Sequence, residues 1–283
     1  MRILKRKNSY YLQHSFRKNG KTITKEKYIG LKVPKNIDVV KSKLLAECRK
    51  EAFYDVFEII KDKFNQEWKR FPPSIKDKMI QELSINFTYN TNAIEGSTIS
   101  EEETRDIVAH KISPSKPLRD VKETEKHAEL FRNIFQKKQK ITKKTLIDWH
   151  NKLFSETKQD IAGKFRDYLV RVGTYKAPDW QDINKLLDEF IKFQNAKNNM
   201  HAVEFVARIH YRFEKIHPFG DGNGRIGRLI MNTILWERVY PILIIEYKKR
   251  KSYYKALQKD EEYFVQYFIR RYLAVHKKYL NKK

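Results

Sequence analysis

Residues 217–228 read His-Pro-Phe-Gly-Asp-Gly-Asn-Gly-Arg-Ile-Gly-Arg, which brings a base, a carboxylate, a glycine-rich loop and two arginines close together in the chain. The imidazole of His217, with a reference pKa of about 6.5, can take a proton from a hydroxyl at neutral pH. Asp221 is an oxygen ligand of the kind that Mg²⁺ binds together with phosphate oxygens. Arg225 and Arg228 share one face of a helix N-terminus, which is unfavourable for cations unless an anion lies between them. The stretch therefore predicts a polyphosphate site with a catalytic base beside it.

Helical periodicity flanks this stretch on both sides. Apolar or neutral residues recur at helical spacing over 202–216, which ends before Pro218, and again over 225–236. The glycines between them therefore lie in a loop that opens a helix, where free backbone amides and the helix dipole favour an anion. These glycines are Gly220, Gly222 and Gly224.

The stretch resembles the motif of the Fic (Fido) domain family, His-Pro-Phe-x-Asp/Glu-Gly-Asn-Gly-Arg-x-x-Arg, at every specified position. The resemblance implies a mainly α fold, a Fic-type helical bundle with a small β-hairpin flap. It also implies a nucleotidyltransferase that moves AMP from ATP to a Ser, Thr or Tyr hydroxyl of a target protein, releases pyrophosphate and uses Mg²⁺ (or Mn²⁺). Doc-like phosphotransferases of the family carry Ala and Lys where this chain has Gly222 and Gly224, so the resemblance favours adenylylation.

The resemblance also implies a role for each residue of the motif. His217 would be the catalytic base, Asp221 the metal ligand, and Asn223 with the loop amides a cradle for the α-phosphate. Arg225 and Arg228 would contact the β- and γ-phosphates. The implied ATP-binding residues are Gly220, Asp221, Gly222, Asn223, Gly224, Arg225, Arg228, Tyr253 and Tyr254.

Tyr253 and Tyr254 lie in a segment that resembles the family helix closing over adenine. An aromatic face can stack on a purine, although both rings could equally belong to the core. Relatives often place a polar residue slightly further along to meet the adenosine, and residues 259–262 offer no obvious Asn. The selectivity for adenine is therefore the least supported implication of the resemblance.

Upstream, Thr91-Asn-Ala-Ile-Glu-Gly96 fits the family's inhibitory pattern Ser/Thr-x-x-x-Glu-Gly/Asn. Glu95 would pair with Arg228 and occupy the guanidinium that the γ-phosphate needs. In some relatives the same Glu instead positions a water that removes AMP from a modified protein, so the chain could be a de-AMPylating hydrolase. Without the resemblance, Glu95 would be read as a solvated residue followed by a helix C-cap at Gly96.

A short β-rich segment, Leu169–Pro178, contains an internal glycine and is typical of a hairpin. By resemblance it is the flap that holds the target segment by strand addition, a mode in which main-chain pairing positions the hydroxyl. An ordinary hairpin packed on the core is the alternative. The target-binding residues would be Val172, Gly173, Thr174 and Tyr175.

The chain of 283 residues is long enough for a sizeable core, and its one cysteine, Cys48, excludes an internal disulfide. We find no hydrophobic signal peptide at the start, which together with the single cysteine predicts a cytoplasmic protein. The longest apolar region, 229–247, contains charged residues and a proline, so we predict a buried helix and connector, and no membrane partner.

Most of the net charge of +25 lies at the two ends of the chain. Residues 1–50 hold 15 Lys or Arg against 3 Asp or Glu, and residues 248–283 hold 12 against 3. Such ends could bind nucleic acid, and a nucleic-acid-binding regulator is the second functional alternative. We favour a solvated surface. The expected partners are ATP and a protein substrate, which could be the chain itself, and relatives also form homodimers.

We predict three segments: a basic β-hairpin segment at 1–38, a helical region at 39–140 that carries the inhibitory pattern at 91–96, and the catalytic domain at 141–283. Asn19-Gly20 predicts a type I′ turn in the first segment. Long helices are expected at about 40–70, 120–136 and 141–154. His127 and His150 lie on the last two and are interpreted as structural, since neither has metal-ligand spacing with a second His or Cys.

Overall fold

The computed structural model is predominantly helical and describes residues 1–18, 20–137, 139–197 and 199–280. The chain divides into two compact units. The first consists of Met1–Lys63 with residues from the C-terminal end, and the second of Phe64–Lys278. The division falls inside the first helix, α1 (Ile37–Arg70).

The first unit begins with a three-stranded antiparallel sheet in which β2 is central. The strands are β1 (Arg2–Arg6), β2 (Ser9–Lys18) and β3 (Lys21–Gly30). Lys18 pairs with Lys21, so the predicted hairpin is confirmed, whereas the type I′ turn falls on Asn19, which lies outside the described residues. Sequence analysis did not predict β1, whose short Lys- and Arg-rich run lacks the composition typical of a strand.

The core of this first unit is small. Leu12, in the middle of β2, is fully buried and packs against Leu44 and Cys48 of α1. Because side chains alternate along a strand, Phe16 points to the same face and joins this cluster. One face of the sheet is therefore packed on α1.

The second unit is a helical bundle whose centre is α8. Residues around the whole circumference of α8 are buried, which is typical of a helix enclosed by others. Helices α2, α4, α5 and α7 all pack on it. The helices of this unit are α2 (Pro73–Ile94), α3 (Glu101–Arg105), α4 (Leu118–Gln136), α5 (Lys143–Phe154), α6 (Ile183–Asn195), α7 (Ala202–Ile216), α8 (Asn223–Glu237), α9 (Arg250–Leu257) and α10 (Glu261–Val275).

Residues that favour a helix N-terminus lie at the start of several of these helices. Pro73 occupies the first position of α2, where its missing N–H costs no hydrogen bond. The Thr142 side chain caps α5 by accepting from the Thr145 amide at 3.1 Å, and Asp260 caps α10 in the same way. The flap is a two-stranded hairpin of β4 (Arg171–Val172) and β5 (Tyr175–Lys176).

The predicted fold class is confirmed: a mainly α bundle with a small hairpin flap and a basic β-hairpin-containing N-terminal segment. Among the described helices, none combines the length and the apolar character that crossing a bilayer requires.

The small core of the first unit can be tested at Leu12. We expect Leu12→Ala to lower the free energy of unfolding by about 2–5 kcal/mol, since it removes buried methyl groups and leaves a cavity. Leu31→Ala is the matched control, because Leu31 is 66% exposed and its loss should change stability by less than about 0.5 kcal/mol. Urea unfolding, monitored by circular dichroism, measures the free energy of unfolding of both variants. Equal losses in the two variants would contradict the packing described here.

Candidate active site

The glycine-rich loop joins two helices through left-handed backbone. Helix α7 is followed by its C-cap His217, whose φ is +50°, and α8 is preceded by Gly222 with a φ of +77°. The side-chain amide of Asn223 braces the loop from inside, because its Oδ1 accepts from the Phe219 amide at 2.9 Å and its Nδ2 donates to the Phe219 carbonyl at 2.8 Å. The first amides of α8 have no carbonyl of an earlier turn to bind, so they are available to an anion.

His217 lies in a cleft of about 330 Å³. Its Nδ1 is 3.4 Å from the carbonyl oxygen of Glu214, and donation to that oxygen leaves Nε2 unprotonated as an acceptor. Burial lowers the pKa of His217 below 6.5, which favours this neutral form. The cleft is lined by Val172, Gly173, Tyr175, Glu214, Lys215, His217, Tyr254, Leu257 and Gln258.

Arg166 ties this loop to the flap, and the sequence alone offered no sign of that role. Its guanidinium is buried and donates to the carbonyl oxygens of His217 at 2.8 Å, Tyr168 at 2.7 Å and Pro178 at 2.7 Å. The hydroxyl of Tyr175 donates to the carbonyl of Lys215 at 2.7 Å and so attaches the far strand of the flap to α7. The flap is thereby held at two points beside His217.

Asp221 is surrounded by charge. Lys158 Nζ lies 2.5 Å from Asp221 Oδ2, and Arg225 Nη2 lies 3.6 Å from the same atom. Burial alone would raise the pKa of Asp221, but Arg225 and Lys158 outweigh burial and lower the pKa to about 2. The carboxylate is therefore ionised at any physiological pH. Lys158 was not predicted, because it lies 63 residues from Asp221 in the chain.

Both arginines of the motif lie buried, and each is paired with a carboxylate from an earlier part of the chain. Arg225 pairs with Glu123 of α4, and its guanidinium is 4.4 Å from the centroid of the Phe154 ring. Arg228 Nη2 lies 2.5 Å from Glu95 Oε1, directly after α2. Glu123 was not predicted, since nothing in the local sequence of α4 distinguishes it.

The pair of Arg228 and Glu95, which the family resemblance predicted, joins a fully buried guanidinium to a partly exposed carboxylate. Arg228 is 1% exposed. Burial lowers the pKa of its guanidinium, but the negative charge of Glu95 opposes that effect, and the net pKa is raised. Its Nε and Nη1 atoms have no hydrogen-bond partner among the described residues. A Cβ at Gly224 would overlap Glu95 Oε1, so the glycine is what lets the carboxylate approach.

A row of polar contacts fixes α2 against α4 and so positions Glu95. Three side chains spaced four residues apart on α2 reach α4, as the helical repeat requires. Ser84 Oγ donates to the Ala128 carbonyl at 3.2 Å, Thr88 Oγ1 lies 2.9 Å from His127 Nδ1, and Asn92 Nδ2 donates to Thr124 Oγ1 at 3.3 Å.

The two tyrosines of α9 occupy different places. Tyr253 is 1% exposed, and its hydroxyl lies 2.8 Å from His210 Nε2 in the core. Tyr254 lines the cleft beside His217, and its hydroxyl donates to the Ile94 carbonyl at the end of α2 at 3.0 Å. Of the two rings, Tyr254 is the one within reach of a ligand in the described conformation.

Glu214 and His150 complete the surroundings of the loop. Burial raises the pKa of Glu214 to about 7, although it lies near Arg228, which lowers it. The ring of His150 stacks on Phe219 with centroids 4.0 Å apart, and its Nε2 lies 3.0 Å from the Asp221 carbonyl. Burial lowers the pKa of His150 to about 4, so it supports the loop as a neutral, structural residue.

We expect Gly222→Ala to destabilise the fold, because a Cβ there would overlap the Phe154 ring in addition to the strain at positive φ. Gly20→Ala is the matched control, since Gly20 has a φ of +78° and a Cβ there would meet nothing within 4 Å. Thermal unfolding should show a loss of about 1 kcal/mol for Gly20→Ala and clearly more for Gly222→Ala. Equal losses would show that contact with Phe154 contributes nothing.

Residues 140–235 match the Fic/DOC family. Proteins named Protein adenylyltransferase Fic from Culex quinquefasciatus and Nematostella vectensis are 33% and 32% identical to this chain over 202 and 200 residues, or 67% and 68% of its length. The chain aligns with only 39% and 47% of those proteins. The structure of Fic-1 (residues 134–508) from C. elegans superposes with a TM-score of 0.73 at 24% identity, covering 86% of this chain and 75% of that one. The predicted family is thereby confirmed, and residues 140–235 form a Fic/DOC family domain.

Proposed function

We propose that this chain is a protein adenylyltransferase that transfers AMP from ATP to a hydroxyl of a target protein. The observation that carries the proposal is the position of His217, a neutral imidazole in a cleft, next to a glycine loop that opens α8 and its two buried arginines. The relatives named as protein adenylyltransferases support the same reaction. A base, an anion-binding helix N-terminus and fixed cations are what in-line transfer to a hydroxyl requires.

In the proposed reaction, His217 Nε2 accepts the proton of the target hydroxyl, and the hydroxyl oxygen attacks the α-phosphorus of ATP. The bond between the α-phosphorus and the bridging oxygen breaks, and pyrophosphate leaves with that electron pair. The amides at the start of α8 would bind the α-phosphate, while Arg225 and Arg228 would stabilise the charge on pyrophosphate. His217 then carries the proton until solvent removes it.

Asp221 is the residue we propose to hold Mg²⁺ or Mn²⁺. Its carboxylate is 44% exposed, ionised and beside the phosphate site, and in the part of the chain that the structure describes no group of three or more acidic, His or Cys residues forms a complete metal cage. A single carboxylate suits a magnesium ion that completes its shell with phosphate oxygens and water. When bound, the ion would neutralise charge on the phosphates.

The flap and Tyr254 would bind the two substrates. Val172 and Gly173 line the cleft, and Val172 is 39% exposed, which leaves the flap edge open to strand addition by a target segment. Main-chain pairing would place a target hydroxyl near His217 with little demand on the target's sequence. The ring of Tyr254, on the same wall as His217, would stack on the adenine.

We further propose that Glu95 inhibits the transfer. In the described conformation its carboxylate is 2.5 Å from the guanidinium that would bind the γ-phosphate, so both anions need the same group. Exchange of Glu95 for the γ-phosphate would release the inhibition. Glu95 blocks phosphate binding by Arg228 only. Arg225 has a separate partner, Glu123.

We expect His217→Ala to lower AMP transfer by at least about 100-fold and Glu95→Gly to raise it by about tenfold or more. Transfer is measured with α-labelled and γ-labelled ATP and Mg²⁺, as labelling of the chain itself and of proteins in a lysate. Glu95→Gln keeps the shape of the side chain without its charge and should raise transfer as well. His110→Ala, at an exposed histidine, controls for loss of any imidazole.

Label from the γ position would contradict AMP transfer and indicate phosphorylation. Equal transfer by the wild type and Glu95→Gly would remove the inhibitory role of Glu95. If the wild type instead released AMP from a modified target and Glu95→Gly did not, the chain would be the hydrolase that the same carboxylate allows.

The pKa of His217 predicts the acidic limb of the pH profile of kcat/KM. The base acts unprotonated, and burial lowers its pKa below 6.5, so transfer by Glu95→Gly should persist as the pH falls to 6.5 and decline only below that value. Glu214 has a pKa raised to about 7 and could produce a limb of its own. If His217 produces the acidic limb, the limb should remain in the Glu214→Gln variant. Loss of the limb in that variant would assign the titration to Glu214.

A further inference from the structure

Lys158 lies in the turn that follows α5 and points into the proposed active site. Its Nζ is 2.5 Å from Asp221 Oδ2, 3.1 Å from Glu123 Oε1 and 4.8 Å from the centroid of the Phe154 ring. The side chain is 19% exposed. Its backbone is fixed as well, because its amide donates to the Phe154 carbonyl at 2.8 Å and its carbonyl accepts from the Ala162 amide at 2.9 Å. The ammonium group is therefore held at this position by two carboxylates and is largely shielded from solvent.

Lys158 completes a closed arrangement of two cations and two carboxylates. Glu123 pairs with both Arg225 and Lys158, and both of these cations also lie within 4 Å of Asp221. The four groups come from α4, the turn after α5, the glycine loop and α8. Their formal charges cancel, so the proposed metal ligand is not an open acidic site.

Both oxygens of the Asp221 carboxylate have donors. Oδ1 accepts from the Gly222 amide at 2.5 Å, and Oδ2 accepts from Lys158. A divalent cation that bound Asp221 through Oδ2 would come within a few ångströms of the Lys158 ammonium. At such a separation two cations repel strongly even at the effective dielectric of a protein surface, so each disfavours binding of the other.

On the basis of the proposed function, we propose that Lys158 competes with the divalent metal for Asp221. Lys158 neutralises the carboxylate while the site holds no nucleotide, and it keeps a bare metal ion from binding there. The phosphates of ATP supply the negative charge that lets the metal enter and that attracts the displaced ammonium. Lys158 thus acts as a positioning residue that makes the binding of metal depend on the binding of nucleotide.

Each carboxylate of the arrangement has a partner besides Lys158. Without Lys158, Glu123 remains paired with Arg225, and Asp221 keeps Arg225 at 3.6 Å and the Gly222 amide. Replacing Lys158 by an uncharged side chain would leave two carboxylates with one buried guanidinium between them. Such a site has a net negative charge and should bind a divalent cation without nucleotide.

The test measures binding of Mn²⁺ alone, by the enhancement of water proton relaxation, to the full chain. Lys158→Met replaces the ammonium with an unbranched apolar side chain and should bind Mn²⁺ at least about tenfold more tightly than the wild type. Lys158→Arg keeps the charge and should match the wild type. Lys122→Met is the matched control, because Lys122 is a comparable lysine that pairs with Glu156 on the surface. Circular dichroism melting verifies that each variant is folded.

An affinity of Lys158→Met within about twofold of the wild type would overturn the inference, as would an equal gain in Lys122→Met, which would reflect net charge alone. Adding Asp221→Ala to Lys158→Met should abolish the gain, and a gain that persisted would place the ion elsewhere and overturn it too. A gain through Asp221 without AMP transfer by any variant would contradict the proposed function only. Transfer by Glu95→Gly without the gain would contradict only the role of Lys158.

Discussion

The ion pair between the buried guanidinium of Arg228 and Glu95 is the interaction on which the arrangement of the second unit depends. A charge that is 1% exposed requires an opposing group, and Glu95 at the end of α2 provides the carboxylate. The polar contacts between α2 and α4 and the missing side chain at Gly224 bring that carboxylate to Arg228. One turn earlier on α8, Arg225 is likewise buried and paired with Glu123. Helix α8 therefore carries two buried cations whose partners both come from outside the motif.

The residues that could be predicted from the sequence are those that lie close together in the chain. His217, Asp221 and the two arginines fall within one short stretch whose backbone is set by local rules, namely a helix end, a glycine loop and a helix start. Apolar periodicity predicted helices α1, α4, α5, α7 and α8. The pairing of Glu95 with Arg228, separated by 133 positions, was predictable only through the family resemblance.

What could not be predicted are contacts made by residues with no local signature. Glu123, Lys158 and Arg166 are ordinary charged residues in a chain rich in them, and only the packing of α4, α5 and the flap brings them to the loop. Tyr253 shows the opposite difficulty. A tyrosine pair at helical positions does not reveal which ring faces a ligand, and here the bond to His210 lies in the core while Tyr254 lines the cleft.

The hydroxyl of Tyr254 donates to the carbonyl of Ile94, while its ring forms part of the wall beside His217. The end of α2 is thus attached both to Arg228, which we propose to bind phosphate, and to α9, the helix that would cover the base of the nucleotide. A displacement of α2 that freed Arg228 would also break the contact between Ile94 and Tyr254 and so alter this wall. Binding of a ligand in the cleft and detachment of α2 would therefore be thermodynamically coupled, and each would change the free energy of the other by the same amount.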